Sequence, residues 1–292
     1  MKFKRLYAFL LRVPVYSYTI SFIIIPLIYM LVLSFLTKAQ TWGYTFDFTL
    51  ANYERVFSSF YMGIFIESLK LALITTTIVL FVGYAYGYFM ARTSDAWKRR
   101  LMILLMIPFW TSGLIRLNGW IIIFRSNGVL DKILMFFNII DKPLKLLYSY
   151  PAVVIGMIYF LLPFMILSVF SSVEKMDWSL VEAARDLGAT SFEAFKSITL
   201  VQTMPGILSG IVLTFVPSMG MFYVAEILGG NKIVLISNVI SEQMTKGRNT
   251  PFAAALSVIL MILTSIILSL YKKFTKTSEL EGILWKSYLE VL

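Results

Sequence analysis

Six long apolar runs constrain this chain more than any other feature. They lie at about residues 16–36, 68–91, 101–124, 151–170, 204–227 and 251–271. Hydrocarbon about 30 Å thick takes roughly 20 apolar residues per helix, and each run has that order of length. An aqueous fold could not hide them. Of 292 residues, 59% are apolar and 14% charged, against about 45–50% and about 25% in an ordinary soluble domain. Lipid leaves no solvent partner for backbone amides, so a spanning run of this length must be helical. The sequence therefore predicts an all-α integral membrane protein with six transmembrane helices.

The first run follows Lys2, Lys4, Arg5 and Arg12, which is how a cleavable leader begins. Its apolar stretch is too long for one and no Ala-x-Ala site follows, so it reads as an anchor kept in the mature protein. The chain has neither Cys nor His. That excludes disulfides, thiolate chemistry and sulfur-ligated metal, and it disfavours metal catalysis and triads. The net charge of +10 would suit nucleic acid on a soluble protein. In a membrane protein Lys and Arg mainly set orientation, and no nucleic-acid partner is expected.

Six spans put both termini on one side. Four Lys/Arg precede the first run, four lie in residues 92–100, three lie between the fourth and fifth runs and four follow the sixth. These fifteen sit in short segments, while the other eleven of the 26 are spread over the longer loops of the other side and the helix ends that adjoin them. The positive-inside bias then predicts that both termini are cytoplasmic. The outer loops, about 37–67, 125–150 and 228–250, are polar-aromatic, long enough for short surface helices, and offer a docking face. No linker composition and no internal repeat of the secondary-transporter kind is present, so residues 1–292 are expected to form a single transmembrane domain.

The most informative stretch is the polar, amphipathic segment at about 171–203. Ser179-Leu180-Val181-Glu182 has capping-box spacing, Leu180 to Leu187 makes about two turns, and Gly188 is a natural C-terminal stop. Thr190-Ser191-Phe192-Glu193 repeats the capping spacing and starts a second helix toward Pro205. Leu180, Ala184 and Leu187 share one face, while Glu182, Arg185 and Asp186 project elsewhere. Periodicity alone allows either a docking helix or an ordinary surface helix.

The run Glu182-Ala183-Ala184-Arg185-Asp186-Leu187-Gly188, with Ile198 and Leu200 after it, resembles the EAA loop of ABC importer permeases. Ile107-Pro108-Phe109-Trp110-Thr111-Ser112, Val173-Glu174-Lys175-Met176-Asp177 and Pro217-Ser218-Met219-Gly220-Met221-Phe222-Tyr223-Val224 narrow the likeness to the polyamine branch. Leu228-Gly229-Gly230 and Leu235-Ile236-Ser237-Asn238-Val239-Ile240 are similar to B-type spermidine/putrescine permease subunits. The resemblance implies a type I permease fold in a bacterial inner membrane and a coupling role for residues 182–188. It also implies a second related permease subunit, two ATP-binding subunits and an extracytoplasmic polyamine-binding protein. The family's usual proline after the loop's leucine is Val201 here, and Pro205 is the substitute helix start that the sequence offers.

No stretch matches G-x-x-x-x-G-K-[ST], so ATP and Mg2+ are expected on the ATPase partner and no cofactor on this chain, which reads as a non-catalytic subunit. For the pathway, a polyamine needs carboxylates for charge and aromatic faces for cation–π contact worth about 0.5–2 kcal/mol each. Glu226, Tyr223 and Phe222 at the outer end of the fifth run supply both. Trp110 is a further wall candidate; on one continuous helix it would lie about 80° around the axis from Trp120. Arg116, the other intramembrane charge, is expected to find an ion pair, with Glu226 one option, or a backbone carbonyl. Glu67 is a weaker substrate candidate. Pro205, Gly206, Gly210, Pro217 and Gly220 predict a fifth span that is not one smooth helix, with Gly206 and Gly210 reserved for close packing. The competing readings are a permease for another solute, such as an organic amine, sulfate or ferric ion, or a stand-alone secondary transporter or channel.

Overall fold

The computed structural model describes residues 13–41 and 43–289. Lys2, Lys4, Arg5 and Arg12 of the charge argument lie outside these residues. Five helices are individually long and apolar enough to cross a bilayer, and a bent pair makes the sixth. They are α1 (Val13–Ser34), α3 (Ser59–Arg92), α7 (Tyr150–Glu174), α9 (Ser191–Gly220) and α12 (Thr250–Leu289), with α4 (Asp95–Trp110) and α5 (Gly113–Phe124) as the broken one. Shorter elements connect them: β1 (Leu36–Lys38), β2 (Tyr44–Phe48), α2 (Ala51–Val56), α6 (Val129–Phe136), α8 (Ser179–Asp186), α10 (Phe222–Gly229) and α11 (Ile236–Thr245).

The third span is the first correction. It is not one helix over 101–124 but two segments, α4 and then α5 continuing into α6, bent by 96°. The cause is local. Ile107–Trp110 tightens into a 3-10 turn around Pro108, which has no amide to donate, and Thr111 and Ser112 are both extended (ψ 147° and 138°) before the helix restarts at Gly113. Trp110 and Trp120 therefore sit on different helices, and the 80° relation between them does not apply. The all-α expectation also needs a small amendment, because the first outer loop contains an antiparallel hairpin pairing Lys38 with Tyr44 and Leu36 with Phe48.

Two of the prolines inside spans follow turns of wider pitch. Pro26 follows a π turn at Ile20–Ile24, and Pro205 follows another at Phe195–Thr199. Pro205 begins no helix: α9 runs through it from Ser191 to Gly220. Thr203 and Thr214 hydroxyls donate to Thr199 and Gly210 carbonyls at 2.7 and 2.9 Å, extra satisfaction for a proline-bearing span in lipid. The fifth run does break, as predicted, but at Met221 (ψ 53°), where α9 gives way to α10.

The chain forms two compact units. The first comprises the described residues up to Gly63 with Val239–Leu263. There Asn52 Nδ2 donates to the Ser34 and Leu36 carbonyls at 3.0 and 2.9 Å, fixing the end of α1 to the start of the hairpin. Arg55 donates to the Tyr61 hydroxyl at 2.9 Å and lies over the Phe252 ring at 4.2 Å. The second unit holds residues 64–238 and 264 onward, and α7 is its centre. Over their most apolar stretches α7 is 61% buried and α1 only 6%, so α1 leaves its apolar side chains for lipid. α7 packs along α9 at very short range. A Cβ on Gly206 would meet Ser172 Cβ at 2.4 Å, and one on Gly210 would meet Met165 Sδ at 2.4 Å. Gly206 and Gly210 thus serve packing, as their spacing suggested.

Candidate functional site

The first candidate site is the segment after α7. Helix α8 ends in a Schellman arrangement: Ala189 donates to the Ala184 carbonyl at 3.0 Å and Gly188 to that of Arg185 at 3.0 Å, with Gly188 at φ +93°. Its start differs from expectation. Ser179 is the first helical residue and makes no capping box with Glu182; instead Asp177 accepts from the Ser179 amide and hydroxyl at 3.0 and 2.7 Å. Asp177 takes the Ser179 amide that the Glu182 carboxylate would have accepted from, and the Glu182 amide donates to the Trp178 carbonyl at 3.1 Å, which leaves the Ser179 hydroxyl no cap to make. The second capping box forms as read, with Thr190 N–H donating to Glu193 at 2.8 Å and Glu193 N–H to Thr190 Oγ1 at 3.3 Å.

No residue of α8 is buried. Glu182, Ala183, Arg185, Asp186, Leu187 and Gly188 are all exposed and Ala184 is half-buried; Leu187 is 89% exposed and Phe192 74%. A two-turn helix left so bare is held from behind. Trp178, which precedes it, packs edge-on to Tyr88 at 6.2 Å and carries the Arg92 guanidinium at 4.7 Å; Phe195 meets Tyr84 and Tyr88 at 6.1 Å each. This aromatic cluster ties α8 and the start of α9 to α3. Trp178 and Phe195 were not singled out in the sequence, although aromatics flanking a bare amphipathic helix are a usable signal.

The second candidate site surrounds the break between α9 and α10. Phe222, Tyr223 and Glu226 share one surface of α10 through i, i+3 and i+4 spacing, opposite the buried Val224, Ala225 and Leu228. Glu226 is exposed and, among the described residues, has no ion pair. The break is anchored by Asn238, whose Nδ2 donates to the Phe222 carbonyl at 3.0 Å while its Oδ1 accepts from Leu235 at 3.1 Å. Trp110 ends α4, is 81% exposed, and makes no ring contact with the other three among the described residues. Glu67 pairs with Lys70 at 2.6 Å, both exposed.

Arg116 overturns its expectation. Among the described residues it has neither carboxylate nor carbonyl partner, and its Nε is buried without a hydrogen bond. Its guanidinium lies in an aromatic box, 4.4 Å from the Phe160 centroid and 5.7 Å from those of Phe109 and Tyr159. Rings supply the negative face that replaces a counter-ion, at about 0.5–2 kcal/mol each. An isolated charge at mid-membrane costs about 2.5–3.5 kcal/mol, so three such contacts offset it. Tyr223 stands edge-on to Phe160 at 6.1 Å and Phe222 to Tyr223 at 6.0 Å, so the box continues into the aromatic surface of α10.

Several long apolar helices, one of them broken, with a bare two-turn helix between two of them, define a multi-pass membrane protein. Residues 83–277 match the family of binding-protein-dependent transport system inner membrane components, and the chain belongs to that family: it is an inner-membrane permease subunit of an ABC importer. It is 39% identical over 262 residues to the spermidine/putrescine transport system permease protein PotB of Haemophilus influenzae, covering 90% of this chain and 92% of that protein. The Escherichia coli K12 protein of the same description is 39% identical over 259 residues, covering 89% and 94%. A probable sulfate permease of Helicosporidium is 24% identical over 259 residues, covering 88% and 90%. The fold matches a solved bacterial alginate importer bound to its alginate-loaded periplasmic protein, with TM-score 0.75, 16% identity and 94% of each chain covered. A methionine importer matches at TM-score 0.57 and 16% identity, covering 76% of this chain and 99% of that one.

Proposed function

We propose that this chain is one half of the translocation pathway of an importer for polyamines, spermidine or putrescine. The observation that carries the reading is identity of 39% over nine-tenths of the chain to permeases of spermidine/putrescine transport. The chemistry of the second site agrees with it. A box of rings that accommodates a guanidinium would accommodate an alkylammonium by the same cation–π attraction, and Glu226 on the adjoining surface with Tyr223 and Phe222 supplies a carboxylate. Trp110 is assigned to the outer wall of the same route.

The partners follow from the class: a second, related permease, two ATP-binding subunits and an extracytoplasmic polyamine-binding protein. The exposure of Glu226 in the single chain fits a pathway completed by the second permease. Residues 1–292 act as one transmembrane domain, with both termini and the loop at about 171–203 in the cytoplasm. There Glu182, Ala183, Ala184, Arg185, Asp186, Leu187 and Gly188 seat α8 in the ATPase, which holds ATP and Mg2+; this chain needs no cofactor. ATP-driven closure of the ATPase pair moves α8, and the Trp178–Tyr88–Phe195 cluster passes the motion to α3 and α9.

The test is ATP-dependent uptake of labelled spermidine and putrescine into liposomes holding the whole reconstituted complex, with sulfate and glycine betaine as controls. Uptake of either polyamine is the expected result. Uptake of a control solute alone would keep the permease and reject the polyamine.

A further inference from the structure

We propose that Arg116 is a resident surrogate for substrate: it fills an aromatic subsite for one ammonium group and is displaced when a polyamine enters, so that it sets the threshold for occupancy. The inference rests on the polyamine reading above.

A structural arginine in an apolar span normally finds carboxylates or carbonyls for its five N–H groups. Arg116 has rings instead, and a buried Nε with no acceptor. Rings compensate the charge but leave the buried Nε proton without an acceptor, so the side chain is held largely by the ring faces where it lies. That is a site suited to a cation in general more than to a guanidinium in particular. A compact ammonium matches it at least as well, since it offers more concentrated charge to the same ring faces.

The surroundings allow exchange. Arg116 stands one turn after the break at Thr111–Ser112, where the backbone is extended. Gly113, at the restart of the helix, borders the box without crowding it: a Cβ there would only reach ordinary contact with Phe160 Cε1 at 3.4 Å and Arg116 Nη2 at 4.0 Å. The box also adjoins the aromatic surface of α10. Phe160 carries Tyr223 edge-on at 6.1 Å, and Glu226 follows Tyr223 by three residues on the same surface of α10. One ammonium in the box and another toward Glu226 is an arrangement available to a diamine and closed to a monovalent amine. Two cations cannot share the box, because like charges at contact distance disfavour each other. Entry of substrate therefore requires Arg116 to leave, and this internal competition lowers apparent affinity.

The experiment is the concentration dependence of spermidine uptake by the reconstituted complex, comparing wild type with Arg116→Gln, Arg116→Met, Arg116→Lys and Arg116→Gln combined with Phe160→Leu. The neutral variants should lower KM about three- to tenfold, the size of one or two cation–π contacts, and Lys should stay close to wild type. Phe160→Leu should erase the gain of Arg116→Gln, which a merely structural arginine would not produce. An unchanged or raised KM in Arg116→Gln, with wild-type uptake intact, overturns the inference alone. Failure of both neutral variants to assemble also overturns it, by making Arg116 structural. Absence of polyamine uptake by the wild type overturns the reading and the inference together.

Discussion

Glu226 is a carboxylate that the fold leaves exposed beside two rings, and its value depends on what α10 presents. On the assigned role, Glu226→Gln keeps shape and hydrogen bonding but removes the charge, so spermidine KM should rise about tenfold, the equivalent of about 1.4 kcal/mol. Assembly of the complex, followed by size-exclusion chromatography in detergent, should not change; unchanged uptake would return Glu226 to an interfacial role. Asn238 acts one step back. It is the partner of the Phe222 carbonyl exposed by the break at Met221, and Asn238→Leu leaves that carbonyl unsatisfied at a cost of about 1–3 kcal/mol. Thermal unfolding of the purified chain should shift downward and uptake should fall, whereas an unaltered melting curve would show that water replaces the amide. That Glu226, Tyr223 and Phe222 stand together on one surface was legible, because a charge beside aromatics stands out in an apolar run. Asn238, Phe109, Tyr159 and Phe160 were not. A ring among Ile, Leu and Met reads as core until the fold puts a guanidinium on its face, and Asn238 sits sixteen residues from the carbonyl that needs it.

At the scale of elements, α8 shows how a helix too short to be stable alone is kept in place. Asp177 closes one end, the Schellman turn at Gly188 closes the other, and Trp178 anchors it. Gly188→Ala forces a Cβ into the left-handed region, at about 1 kcal/mol, while the space around it is open, so strain falls on the turn and not on packing. Glu182→Ala removes an exposed charge from the proposed docking surface without touching the fold. Both variants should insert and assemble but hydrolyse ATP with transport reduced several-fold; tight coupling in both would refute the docking role of α8. The helix and its glycine stop were readable from sequence because capping and stop signals are local. The capping register was not, since Asp177 and Glu182 both offered a carboxylate to the Ser179 amide. Nor was the behaviour of Pro205, because a proline inside a span is tolerated or not according to the hydroxyls and neighbouring helix around it, here Thr203 and the close face of α7.

For the whole molecule, six spans could be counted from the sequence because lipid imposes a length on every crossing, and the bend of 96° in the third could not, since proline and two small polar residues permit an extended turn without requiring it. Which face is cytoplasmic rests on charge density, and a single helix can test it. Residue 141 precedes α7 and residue 191 follows it, both exposed, and α7 is a continuous span of 25 residues, about 37 Å at 1.5 Å per residue. The two positions must therefore face opposite sides of the membrane. The chain has no cysteine of its own, so Asp141→Cys and Ser191→Cys each introduce the sole thiol. In spheroplasts an impermeant maleimide should label Asp141→Cys and leave Ser191→Cys untouched; in inside-out vesicles stripped of ATPase the pattern should reverse, and adding the ATPase back should shield residue 191. The opposite pattern would place α8 outside the cell, where no nucleotide-binding subunit could reach it, and would overturn the orientation and the coupling mechanism in one measurement.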